Sequence, residues 1–193
     1  MLTGVVLAGG QSRRIGRNKA LMELDGQSLI ERILNILDPL CDELILSAND
    51  PTLYAGLGVR IVPDVLLNRG PLSGIHAGLA AMRAERALVV ACDMPFLNPT
   101  LLRYLTVVAP DYDVVVPQVR GKFEPLHAVY GVACVKAIER MVAKGPRRIV
   151  HLYDHVSSFM VAEERLREFD PLLRSFTNVN TPQEWAQIQS MTI

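Results

Sequence analysis

Short runs of β-branched residues alternate along the chain with longer segments whose apolar residues recur every three or four positions, the order of a sheet wound with helices. Residues 3–8 read as a first strand. Residues 28–40 carry apolar side chains at 29, 30, 33, 34, 37 and 40, with Ser28 and Glu31 spaced as a capping box, so they read as a helix stopped by Pro39. Strands are predicted at 43–48 and 59–63, a helix over 74–85, a strand at 86–92, and a helix over 98–108 with Asn98 as N-cap and Pro99 at its first position. Residues 113–118 and 124–130 are two strands joined around Gly121, too close for a helical crossover, so one of them runs antiparallel. A helix over 132–146 is ended by Gly145 and Pro146, a further helix is read at 148–154 and a short strand at 157–162. Thr181, Pro182 and Glu184 open a last helix as a second capping box. The expectation is an α/β fold on an open, mostly parallel sheet with at least one antiparallel strand.

Composition narrows the class. The 193 residues, half of them hydrophobic, suit one domain spanning 1–193, and no repeat or linker divides them. Lysine plus arginine and aspartate plus glutamate each total 20, which leaves no global field to draw nucleic acid or an anionic membrane. No apolar run approaches the roughly 18 residues of a spanning helix, and the first residues lack a secretory signal, so a cytoplasmic protein is expected. Cys41, Cys92 and Cys134 are odd in number and far apart, the usage of small hydrophobes and not of a disulfide framework or zinc site.

In such a sheet, ligands sit outside the carboxyl ends of the strands. Gly9 and Gly10 follow the first strand there, Asp64 the third, and Asp93 the apolar run 87–92. The loop "GGQSRRIGRNKAL" is neither a Walker A motif nor a dinucleotide-binding turn. It does hold the parts of a phosphate cradle, with glycines that admit backbone N–H groups to an anion and Arg13, Arg14, Arg17 and Lys19 to neutralise it. A solvated basic loop is the plainer alternative. Asp93 and Asp64 read alone are turn or N-cap aspartates, but two carboxylates at strand ends facing a basic loop suit Mg²⁺ held between protein and phosphate oxygens.

The stretches "LAGGQSRRIGRNKAL", "PD" at 63–64, "GPLSGIHAGL" at 70–79, "ACDMPF" at 91–96, "EPLHAVY" at 124–130 and "NVNTPQEW" at 178–185 together resemble the bacterial molybdenum cofactor guanylyltransferases, in the same order and over nearly the whole chain. The resemblance implies a three-layer Rossmann-like nucleotidyltransferase fold. It implies transfer of GMP from GTP to the terminal phosphate of molybdopterin, or of its molybdenum form, with release of pyrophosphate. By the family pattern Leu7, Ala8, Gly9 and Gly10 line the nucleotide, Arg14 and Lys19 contact its phosphates, Asp64 lies beside it, and Asp93 binds Mg²⁺. The Gly70 to Gly74 turn would help enclose the guanine, and Asn178 and Asn180 would sit near the metal or the pterin. Other proteins of molybdenum cofactor synthesis or insertion are implied as partners.

Three positions depart from that pattern. Ile15 stands where methionine is usual and Asn18 where aspartate is common. Ser47 replaces an asparagine that often contacts the nucleotide, and it lacks the paired amide donor and acceptor, a gap that Asn49 could fill. A cytidylyltransferase of a related cofactor, a sugar-phosphate nucleotidyltransferase, and a nucleotide-binding regulator without catalysis stay open beside the first reading. His151 and His155 have helical i, i+4 spacing without a third ligand and read as a surface pair; His76 reads as packed within its helix, and Trp185 as an anchor of the last helix. His127, alternating with apolar residues, faces either the cleft or solvent and is kept as a substrate-side candidate, and Arg147 and Arg148 are solvated or face a polyanion.

Overall fold

The computed structural model describes residues 1–9, 18–66, 70–145 and 147–190. The elements follow in the order β1 (Thr3–Leu7), β2 (Glu23–Leu24), β3 (Gln27–Ser28), α1 (Leu29–Leu37), β4 (Glu43–Ser47), β5 (Arg60–Val62), α2 (Pro71–Ala81) and β6 (Arg86–Ala91). The second half continues with α3 (Pro99–Val107), β7 (Val114–Val119), β8 (Lys122–Phe123), β9 (His127–Gly131), α4 (Ala133–Ala143), β10 (Ser158–Val161), α5 (Glu163–Arg167) and α6 (Pro182–Ser190). The main sheet has the order β10-β7-β9-β6-β1-β4-β5, with β8 folded back on β7. The pairs β1–β4, β1–β6, β4–β5 and β7–β10 are parallel, and β9 runs antiparallel to both β6 and β7. This is the mostly parallel sheet with an antiparallel strand that the hydrophobic pattern predicts.

Period-two alternation sorts the strands' side chains onto two faces. Val6, Leu46, Leu88, Val90, Val115 and Val129 meet α1 and α3 on one face, while Val5, Leu7, Ile45, Val89, Val116 and Tyr130 meet α2 and α4 on the other. Three layers result. Among the described residues no helix is long and apolar enough to cross a membrane.

The capping signals work as the sequence suggests. The Ser28 hydroxyl accepts from the Glu31 amide while the Glu31 carboxylate accepts from the Ser28 amide, and the Asn98 side chain accepts from the amides of Thr100 and Leu101. Four boundaries differ. Helix α2 begins at Pro71, three residues before the predicted start, because proline at a first helical position has no N–H to lose. It ends at Ala81, since Met82 is already extended at φ −65° and ψ 152°. The helix expected at 148–154 is a 3-10 helix over Ile149–Asp154, and residues 124–126 form a turn ahead of β9 rather than its first residues. The hairpin β2–β3 and α5 carry too few residues for a periodic signal.

Helix α2 crosses β1 at close range. A Cβ placed on Gly78 would lie 2.4 Å from Val5 Cγ1 and 3.0 Å from Cγ2, in the middle of the buried central strand. Gly78→Ala gains helix propensity but overpacks this contact, and a net loss of about 2 kcal/mol is expected. A thermal melt should show a midpoint several degrees lower, with activity per folded molecule retained.

Candidate active site

The carboxyl ends of β1, β4 and β6 are laced to one another and to the start of β9. The Ala8 amide donates to the Ser47 carbonyl at 3.0 Å, the Cys92 amide to the Leu7 carbonyl at 3.1 Å, and the Ala91 amide to the Leu126 carbonyl at 3.1 Å. Leu7, Ala8 and Gly9 therefore line the middle of a ledge, with Asp93 on one side and Ser47 on the other.

Three distant segments converge beside Asp93. Asn18 caps the 3-10 helix Lys19–Leu21 by accepting from the Ala20 amide at 3.1 Å, and donates its own amide to the Tyr54 hydroxyl at 2.9 Å. That anchor sets Lys19, whose Nζ lies 3.5 Å from Asp93 Oδ2 and donates to Asn180 Oδ1 at 2.8 Å. Asn180 arrives because Val179 and Ile188 pack with Leu24 and Leu29 and with the rings of Phe96 and Trp185. The Val179 amide donates to the Asp93 carbonyl at 2.9 Å, and Glu184 accepts from the amides of Asn180 at 2.6 Å and Thr181 at 2.9 Å. Those donated bonds hold the Glu184 carboxyl below its usual range. Burial pushes the Asp93 carboxyl above its usual range, with the Lys19 charge pulling the other way. A carboxylate that is costly to ionise alone is one that a further cation would stabilise.

The opposite end of the ledge is a second polar cluster. The Ser47 hydroxyl lies 3.3 Å from Asp64 Oδ1, Asn49 Nδ2 donates to Asp64 Oδ2 at 3.1 Å, and the Asp64 amide donates to Asn49 Oδ1 at 2.8 Å. The Asn49 amide is thus tied to Asp64 instead of standing free in place of the missing asparagine. Gly74, in the first turns of α2 and not in a loop, lets the helix close on this cluster, because a Cβ there would lie 2.9 Å from Ser47 Oγ and 3.1 Å from Leu7 Cδ2. Gly9 faces Asp64 with room for a Cβ at 4.0 Å.

Gly10, Arg13, Arg14 and Arg17 lie outside the described residues. Lys19, Asp93, Asn178 and Asn180 come together, and Leu7, Ala8, Gly9, Ser47, Asp64 and Gly74 form the adjoining wall. His127 is corrected as a substrate-side candidate: it is wholly enclosed, its ring 4.6 Å from that of Phe176. Alternation in β9 puts it on the same face as Val129, inside the core, and burial lowers its pKa to about 4 against smaller opposing effects of Asp170 and the Ser175 backbone. His76 reaches out of its own helix, with Nε2 3.1 Å from Glu139 Oε1 on α4. His151 Nδ1 accepts from the Arg148 amide at 3.2 Å, and Trp185 packs at the last helix as expected. The three cysteines are free; Cys134 is buried, Cys41 and Cys92 are half-buried, and burial pushes each thiol to about 12. Asn18 and Glu184 were missed as positioning residues. Glu184 is legible in the sequence only as a cap and Asn18 only as a departure from the family pattern; the groups they hold in place are not.

Comparison with known proteins locates this arrangement. Residues 4–157 match the model of the MobA-like NTP transferase domain. The chain is 41% identical over 189 residues to a probable molybdenum cofactor guanylyltransferase of Pelotomaculum thermopropionicum, covering 98% of this chain and 92% of that one. It is 40% identical to a molybdenum cofactor guanylyltransferase of Desulfosudis oleivorans, covering 95% and 92%. Among solved structures, molybdopterin-guanine dinucleotide biosynthesis protein A from Archaeoglobus fulgidus superposes with a TM-score of 0.84 at 30% identity, covering 98% of this chain and 97% of that one.

Proposed function

Because the chain belongs to the MobA-like NTP transferase family, we propose that it transfers GMP from GTP to the terminal phosphate of molybdopterin or molybdenum-molybdopterin and releases pyrophosphate. The names of its relatives support the guanylyl donor and the pterin acceptor. The observation that carries the reading is the meeting of Lys19, Asp93 and Asn180 at the carboxyl ends of β1 and β6.

In this reading an oxygen of the acceptor phosphate attacks the α-phosphorus of GTP. A P–O–P bond forms, the bond to the β-phosphate oxygen breaks, and pyrophosphate leaves with that electron pair. The nucleophile is already an anion, so the chain needs no general base; it needs alignment and cationic charge. Lys19 supplies the charge, and its hydrogen bond to Asn180 fixes where that charge points. Leu7, Ala8 and Gly9 form the floor, and the Ser47–Asp64 cluster with Gly74 forms the end that takes the base and ribose. The family resemblance gives Arg14, outside the described residues, as a further phosphate ligand.

Asp93 fits a magnesium ion on two grounds. Its carboxylate is one that burial penalises, and the side-chain oxygen of Asn178, a neighbour of the residue bonded to its carbonyl, is buried without a hydrogen-bond partner. One protein carboxylate plus substrate phosphates is a usual magnesium environment. When bound, the ion would neutralise charge on the phosphates; Asp93 would hold it and Asn180 would keep Lys19 alongside.

Incubation with Mg²⁺, molybdopterin and either GTP or CTP, with release of pyrophosphate as the readout, tests the reading. Release with GTP alone is expected. Release with CTP alone would overturn the base assignment, an outcome that Ser47 favours, since it lacks the paired amide of the asparagine it replaces. Release with neither would point to a regulator.

A further inference from the structure

Glu124 has no role in the account above, and its setting is unusual. Its main chain is pinned on both sides, with its amide donating to the Pro117 carbonyl at 2.9 Å and its carbonyl accepting from the His127 amide at 3.1 Å. The turn that carries it is stiffened by Pro125, whose carbonyl takes the Tyr130 hydroxyl at 2.8 Å, and by the edge-on contact of Phe123 and Tyr153 at 5.2 Å. The carboxylate itself is half-buried, and among the described residues it makes neither a hydrogen bond nor an ion pair. Burial raises its pKa, with only the Lys122 charge opposing. A rigid scaffold thus holds an unsatisfied acceptor partly out of water, which costs free energy unless a ligand completes it.

Its place in the sheet says which ligand. β9 is the strand that runs backwards, so its start lies at the carboxyl edge, where Leu126 bonds Ala91 two residues before Asp93. The Ser47–Asp64 cluster stands at the β4–β5 side of that edge, and Glu124 at the β7–β9 side, with the Lys19–Asp93 contact reached from β1 and β6 between them. A nucleotide with its base at the first end and its phosphates at Lys19 leaves the far end to the acceptor.

We propose that Glu124 is a specificity-determining residue that binds the heterocycle of the acceptor, accepting through its two carboxylate oxygens from an adjacent ring N–H and exocyclic amine such as the pyrimidinone edge of a pterin presents. This rests on the pterin acceptor of the function proposed above. A carboxylate is acceptor-only and forked, the complement of two parallel N–H donors. Phe123 and Tyr153 form the aromatic wall beside it. Guanine carries the same donor edge, so the two sources must be told apart.

The test is steady-state kinetics of the full chain and of Glu124→Gln, varying molybdopterin at saturating GTP and GTP at saturating molybdopterin, with Glu124→Asp as a second variant. Turnover by the unaltered protein is the prior result; its absence would remove the function and this inference with it. Given turnover, Glu124→Gln is expected to raise the KM for molybdopterin about tenfold or more, because one acceptor becomes a donor facing a donor. Its kcat and KM for GTP should stay within about twofold, with Glu124→Asp intermediate. A rise in the KM for GTP instead would assign Glu124 to the guanine and overturn the proposal. Unchanged KM values for both substrates, with or without a lower melting temperature, would make the residue structural and overturn it too.

Discussion

Asp93→Asn is expected to lower turnover about a thousandfold, the scale of several kcal/mol of lost charge stabilisation. The substitution keeps the side chain's shape and leaves the backbone carbonyl, which holds Val179, in place. It removes the carboxylate that lies 3.5 Å from the Lys19 ammonium. Unfolding is not the expected cause of the loss, because the charge that disappears is one that burial disfavours. GTP binding measured without magnesium should fall by less than about threefold, since a metal-free nucleotide gains nothing from a nearby negative charge. Affinity that fell together with turnover in metal-free buffer would remove the metal-holding role and leave Asp93 as a nucleotide contact.

Lys19→Ala is expected to weaken GTP binding about tenfold and to lower kcat/KM about a hundredfold, because in the proposed function the ammonium serves both the bound triphosphate and the departing pyrophosphate. The loss should exceed that of a surface lysine. Its side chain is only 16% exposed, and Asn180 directs it from 2.8 Å. Removing it also strips Asp93 of its partner, so the carboxyl should titrate still higher and the pH at which activity appears should move up. Lys19→Arg should restore charge but not rate, as a planar guanidinium cannot place one donor on Asn180 in the same geometry. Isothermal titration with GTP, set beside pyrophosphate release, separates the two effects. Undiminished turnover in Lys19→Ala would end the phosphate role given to this residue.

Much of this architecture could be read from the chain because its signals are local. The strand run ending at Leu7, the Ser28–Glu31 box, the Asn98 cap and the close spacing around Gly121 each depend on a few neighbouring residues. The candidate site was legible at its strand ends for the same reason. Its closure was not. Lys19 and Asn180 are 161 positions apart and meet because Val179, Ile188 and Trp185 fill a small core with Leu24 and Leu29. No spacing rule encodes such a contact. His127 illustrates the opposite failure: alternation showed that it would share a face with Val129, but not that Phe176 would cover that face. The start of α2 falls earlier than predicted because Gly70 to Gly74 reads as a turn, whereas Pro71, one residue after Gly70, is the helix's first residue.

The small core that delivers Asn180 also sets an order of events during synthesis. A ribosome that has made β1, Lys19 and Asp93 has made four of the eight strands of the main sheet, and the partner that aims the ammonium comes only after the other four, together with the helix that seats it. A chain that ends before residue 178 carries every strand of the main sheet but not the oxygen that accepts from Lys19, so the cluster around Asp93 is complete only once the last segment has been added.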